Sequence, residues 1–161
     1  MSNLLIVYHS RTGGTRQMAE AAFDAARTEI DCRLMRADST GPHDLLSASG
    51  FLFAAPENLA ALSGAMKEFF DRCYYPVLGQ LEGRPYAQMI CAGSDGESAM
   101  RQTARIATGW RLKEVQPAII VCTHAQTEAE IMAEKIIARD DLERCRALGQ
   151  ALAAGLAMGV Y

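Results

Sequence analysis

The sequence predicts an α/β protein, a parallel sheet with helices on both faces, and three observations predict it. Short continuous apolar runs, Leu4-Leu5-Ile6-Val7-Tyr8 the first of them, have the pattern of strands buried on both faces. Segments of helical periodicity separate these runs, and the first run reaches its helix through the glycine turn Gly13-Gly14. Strand and helix in alternation imply right-handed crossovers within one parallel sheet.

Each element follows in order. After the first strand, Met18, Ala19, Ala22, Phe23 and Ala26 recur at helical spacing, with Arg16, Glu20, Asp24 and Arg27 on the other face. Cys32 to Arg36 reads as the second strand and Asp44 to Ser47 as a short helix. Gly50 to Ala55 reads as the third strand, which Pro56 is expected to stop. Ser63 is the expected N-cap of a helix carrying Met66, Phe69, Phe70 and Cys73 on its apolar face. Tyr86 to Ala92 makes the fourth strand, and Gly93-Ser94-Asp95-Gly96 a loop. A helix marked by Met100, Thr103, Ala104 and Ala107 is expected to end near Gly109, with Trp110 folded back onto the core. Ala118 to Cys122 is the fifth strand. Thr127-x-x-Glu130 is a capping box opening a short helix, and a longer helix places Leu142, Cys145, Gly149, Leu152 and Leu156 on one face.

Composition narrows the function classes. A chain of 161 residues, half of them hydrophobic and 22% charged, matches one globular domain spanning residues 1–161. A net charge of -3, with no Lys or Arg run, argues against nucleic-acid binding. The longest apolar stretches, such as Ala151 to Val160, fall far short of the roughly 20 residues that a membrane helix needs. Met1-Ser2-Asn3 has no basic region ahead of an apolar core, so no signal peptide is expected and a cytoplasmic location follows. The five cysteines are odd in number and form no C-x-x-C pair, against a disulfide framework or a zinc site. Homo-oligomerisation is left open.

In an open parallel sheet the ligand lies outside the carboxyl ends of the strands. That rule brings together the loops Ser10 to Thr15, Pro56 to Leu62 and Gly93 to Glu97. The first offers hydroxyls at Ser10, Thr12 and Thr15, two glycines, and the free N–H groups of a helix start, a combination that favours an anion. The same residues also read as a plain tight turn with Thr15 as a cap. No Lys follows Gly14, so the turn is not a nucleotide P-loop. His9 and Ser10 stand where a low-molecular-weight tyrosine phosphatase carries its cysteine, and Phe53-Ala54-Ala55-Pro56 where a receiver domain carries its phosphoacceptor aspartate.

Tyr8-His9-Ser10-Arg11-Thr12-Gly13-Gly14-Thr15 resembles the FMN-phosphate loop of the flavodoxin-like family. Pro56-Glu57-Asn58-Leu59 through Leu62-Ser63-Gly64-Ala65-Met66-Lys67-Glu68-Phe69-Phe70-Asp71-Arg72 is similar to the loop and helix that follow strand three in its FMN-dependent NAD(P)H oxidoreductases. The resemblance spans about the first 125 residues. It implies a three-layer flavodoxin-like fold with a five-stranded parallel sheet of order 2-1-3-4-5, with FMN as cofactor. It further implies that Ser10, Arg11, Thr12, Gly13, Gly14 and Thr15 hold the phosphate. Pro56, Glu57, Asn58 and Leu59 would contact the isoalloxazine, and Gly93, Ser94, Asp95 and Gly96 would border its pyrimidine edge.

The activity so implied passes electrons from NAD(P)H to a small acceptor such as a quinone, with no catalytic side chain and no metal. The alternatives are a non-enzymatic flavodoxin-type electron carrier and a module that has lost its flavin. One departure favours the enzyme: neither Pro56 to Leu62 nor Gly93 to Glu97 holds an aromatic residue, whereas carriers sandwich the flavin between such rings. His9 and His124 stand at strand ends near the site and read first as hydrogen-bonded loop residues. Glu57 and Asp95 could tune a flavin through their charge.

Overall fold

The computed structural model describes residues 1–161. Seven strands and six α-helices follow one another as β1 (Asn3–Tyr8), α1 (Gly14–Ala26), β2 (Asp31–Arg36), α2 (Pro42–Ser47), β3 (Gly50–Asn58), β4 (Ala61–Leu62), α3 (Gly64–Val77), β5 (Pro85–Ala92), α4 (Glu97–Gly109), β6 (Lys113–Glu114), β7 (Ile119–Cys122), α5 (Glu128–Met132) and α6 (Arg139–Met158). A single 3-10 turn, Ala37–Ser39, links β2 to α2.

The parallel strands run in the order β2-β1-β3-β5, and both β6 and β7 add to the far side of β5. β6 pairs with Pro85 and Tyr86 and β7 with Met89 to Ala92, so the fifth strand of the predicted order 2-1-3-4-5 is present in two pieces. The chain between them contains Pro117, which has no N–H to donate to a ladder.

Alternate residues of each strand face opposite sides. Leu5, Val7, Phe51, Phe53, Tyr86 and Ile90 point to one core, shared with α2, α3 and α4. Phe53 lies at its centre, within 5.2 to 6.4 Å of the rings of Phe70, Tyr86, Phe69 and Trp110. Leu4, Ile6, Leu52, Ala87 and Met89 point the other way, against α1 and α6. Those two helices approach so closely that a Cβ on Gly149 would run into the backbone of Ala22. Helices thus cover both faces, which makes three layers. Trp110 is fully buried as expected, its indole N–H donating to the Tyr74 carbonyl.

Two local expectations are corrected. Pro56 does not end the third strand: β3 continues to Asn58 and turns back antiparallel into β4. β1 pairs with β3 only as far as Ala54, so at Pro56 there is no β1 residue whose ladder bond the missing N–H would break. Ser63 does occupy the N-cap position of α3, but its hydroxyl makes no cap bond and instead meets His9 Nδ1 at 2.9 Å. No helix is long and apolar enough to cross a membrane.

Candidate functional site

The three expected loops meet at the carboxyl ends of β1, β3 and β5. Thr12 from the first, Pro56, Glu57 and Asn58 from the second, and Gly93 from the third border one small cavity of about 80 Å³. Ser10, Arg11 and Gly13 line an adjoining cleft of about 370 Å³ that also receives Arg16 and Arg36. Gly14 and Thr15 lie buried beneath the turn, Ser94 and Asp95 are exposed, and Leu59 stands wholly in solvent.

The first turn is shaped by its glycines. Gly13, at the N-cap of α1, has φ of 91°, a left-handed conformation that costs a residue with a Cβ about 1 to 2 kcal/mol. A Cβ on Gly14 would lie 2.8 Å from Cys91 Sγ on β5, so the backbone here is pressed against the sheet. No side chain caps α1, which leaves its first-turn N–H groups to an external acceptor. Ser10 Oγ accepts from the Gly13 N–H at 3.2 Å and braces the turn. The Thr15 hydroxyl is buried without a hydrogen-bonding oxygen or nitrogen, and the weakly polar Cys91 thiol is its neighbour.

The second loop is a β-hairpin. Glu57 pairs with Leu62 and Asn58 with Ala61, which leaves Leu59 and Ala60 as a two-residue turn with φ of 52° and 60°. Positive φ at both positions is the type I′ geometry that Asn-Gly normally supplies. Here two residues with Cβ atoms bear it, and backbone strain of this kind clusters at functional sites.

Glu57 joins this hairpin to the third loop. Its Oε1 accepts from the Gly96 N–H at 2.9 Å and its Oε2 from the Ala99 N–H at 3.0 Å, so it caps α4 from outside the helix. Gly96 at that N-cap has φ of 88°, and a Cβ there would lie 2.6 Å from the Ile120 side chain. The Glu57 carboxylate therefore serves α4, where the sequence suggested a charge for tuning a flavin.

His9 is half-buried at the end of β1. Burial, with the guanidiniums of Arg36 and Arg11 nearby and Asp38 opposing them, pulls its pKa below the ordinary 6.5. The five thiols all titrate high, mainly through burial: Cys91 is pushed up to about 11, Cys32 and Cys145 to about 12, and Cys73 and Cys122 also rise. A thiolate nucleophile is thereby disfavoured throughout. Cys91 nevertheless borders the small cavity, nearer the site than its strand position suggested.

One part of the site went unread in the sequence. The connection from β7 to α6 folds over the turn and supplies Thr123, Ile131 and Lys135 to the cavity wall. The Thr123 and His124 N–H groups donate to Ala92 and Gly93 at 2.9 and 2.8 Å. Applied to the fifth strand as well, the strand-end rule would have included this loop.

The chain matches the model of the NADPH-dependent FMN reductase family over residues 42–126, more than half its length and including the hairpin, Glu57 and the third loop. It is 36% identical over 96 residues to a flavodoxin of Aquifex aeolicus, an alignment covering 58% of this chain and 50% of that protein. It is 30% identical over 94 residues to an NAD(P)H dehydrogenase (quinone) of Acidithiobacillus ferrooxidans, covering 45% and 47%. The chain thus spans about half the length of these curated relatives. In architecture it is similar to a flavodoxin, WrbA-like protein from Agrobacterium tumefaciens, with TM-score 0.71, 20% identity and 99% of each chain covered. By its match to the family model over more than half its length, the chain belongs to the NADPH-dependent FMN reductase family.

Proposed function

We propose that residues 1–161 form a single domain that binds FMN at the ends of β1, β3 and β5 and passes electrons from NAD(P)H to a small acceptor such as a quinone. The observation that carries this reading is the Ser10 to Thr15 turn. A left-handed glycine, an uncapped helix start and a buried hydroxyl without an oxygen or nitrogen partner stand together there, an arrangement that suits a phosphate monoester. Ser10, Arg11, Thr12, Gly13, Gly14 and Thr15 would hold that phosphate. Pro56, Glu57, Asn58 and Leu59 would face the ring system on one side, and Gly93, Ser94, Asp95 and Gly96 would border it on the other.

When bound, FMN would supply the redox chemistry, taking a hydride from a nicotinamide and passing its two electrons on singly or together. The chain's own residues position it. Glu57 sets the spacing between hairpin and third loop, and Ser63 holds the His9 ring. The cavity is smaller than the roughly 300 Å³ at the lower end of ligand pockets, and its outer wall is Ile131 and Lys135. Room for a tricyclic ring requires the exposed Ile131 side chain on α5 to turn aside, while Lys135 stays tied to Thr12. The hairpin tip carries Leu59 and Ala60 where a carrier would carry an aromatic shield, which supports access by a second planar ring.

The flavodoxin relative favours a second reading, a carrier that exchanges electrons with protein partners. Anaerobic stopped-flow mixing of the FMN-loaded protein with NADH and NADPH separates the two. The reductase reading expects bleaching of the oxidised flavin by at least one nicotinamide and reoxidation by added quinone. Flavin that stays oxidised for minutes with both, yet accepts electrons from a flavodoxin reductase, would establish the carrier.

A further inference from the structure

We infer that Lys135, on the connection between β7 and α6, binds the flavin phosphate and supplies a half-buried positive charge against the Ser10 to Thr15 turn, whose own cation, Arg11, is exposed. This rests on the FMN reading above. The turn's donors are hydroxyls and backbone N–H groups, all neutral apart from Arg11, whereas a phosphate monoester carries about -1.5 to -2 at pH 7. Arg11 is exposed and makes no ion pair. Arg16 lies 3.5 Å from Glu134, and Arg36 is held by Asp38 at 3.2 Å. Lys135 differs from all three.

The Lys135 Nζ lies 3.3 Å from Thr12 Oγ1, inside the phosphate turn. Its other two acceptors are the carbonyls of Ile131 and Ala133, at 2.8 and 2.6 Å. All three partners are neutral and no carboxylate pairs with the ammonium, so its charge is oriented but uncompensated. The backbone around it is fixed to the same turn. The Lys135 N–H donates to the Thr12 carbonyl at 2.8 Å, the Gln17 side-chain amide donates to the Lys135 carbonyl at 2.6 Å, and the Ile137 N–H donates to Gln17 Oε1 at 3.0 Å. A half-buried cation is thus held on the wall of the site from 123 residues away in sequence.

The test compares FMN with riboflavin, which presents the same ring without the phosphate. Apoprotein of the full chain is titrated with each by fluorescence quenching at several salt concentrations, for the native protein, Lys135→Gln and Lys135→Arg. Lys135→Gln removes the charge and leaves a shorter polar side chain with two N–H donors. It should weaken FMN by about 10- to 100-fold, change riboflavin less than about threefold, and flatten the salt dependence of FMN binding. Lys135→Arg should restore most of the affinity. Equal losses for FMN and riboflavin would show that Lys135 only anchors the connection, and unchanged FMN affinity would show that it does not reach the phosphate; either overturns the inference. A native protein that binds neither flavin overturns the FMN reading itself, and this inference with it.

Discussion

The two carboxylate oxygens of Glu57 cap the first turn of α4 through the N–H groups of Gly96 and Ala99, at 2.9 and 3.0 Å. A residue of the β3–β4 hairpin thereby fixes the third loop of the site, with its anion placed at the positive end of a helix. Glu57→Ala should lower the unfolding free energy by about 1 to 3 kcal/mol in urea titrations, since two charge-assisted bonds to backbone donors are lost. Glu57→Gln keeps one acceptor and should lose about half as much. FMN affinity should fall with both variants, because hairpin and third loop are no longer tied together.

The hairpin turn offers the opposite change. Leu59 and Ala60 hold positive φ with side chains that disfavour it, at roughly 1 to 2 kcal/mol per residue. Replacing them with Asn and Gly should raise stability by about 1 to 2 kcal/mol, read as an increase in Tm. If the strained turn serves access to the flavin, turnover with NAD(P)H should change while FMN affinity changes little.

Thr15→Ala separates folding from binding. Its hydroxyl makes no hydrogen bond to oxygen or nitrogen within the chain, so the flavin-free protein should lose less than about 1 kcal/mol. Together Thr12→Ala and Thr15→Ala should weaken FMN by about 1 to 3 kcal/mol while riboflavin binding is unchanged. An unaltered FMN Kd with an intact circular dichroism spectrum would remove the phosphate from this turn.

His9 makes stability depend on pH. Its folded pKa lies below the ordinary 6.5, so the unfolded chain takes up a proton first as pH falls. The contribution is complete above 6.5 and is lost as pH drops from 6.5 through the lower folded value. Melting the native protein and His9→Gln between pH 7.5 and 5 should show a steeper acid-side decline in the native protein.

All five thiols are pushed above their ordinary range, so alkylation at pH 8 should be slow in the folded protein and fast in urea. A folded variant with every cysteine replaced by Ala should retain its flavin-dependent turnover. Complete loss would reveal a thiol step.

The fold was legible because its signals are local. Apolar runs marked the principal strands, helical spacing marked α1, α3 and α6, and Thr127 with Glu130 marked α5, where the Thr127 hydroxyl does accept from the Glu130 N–H at 3.2 Å. Pro56 misled for the same reason. The rule that proline ends a strand concerns a lost donor, and whether that donor had a partner depended on where β1 stopped.

By itself the sequence determined the α/β alternation, the strand order through family resemblance, and the glycine turn at Gly13, since these depend on residue periodicity and on conformations that glycine adopts freely. Tertiary structure alone decided that Glu57 caps a helix beginning beyond Gly96, that Ser63 turns to His9, and that Lys135 reaches Thr12. The first two span 39 and 54 residues and the third spans 123. Partners so distant are chosen by the packing of the loops at the sheet's carboxyl edge, and no spacing along the chain encodes which side chain arrives there.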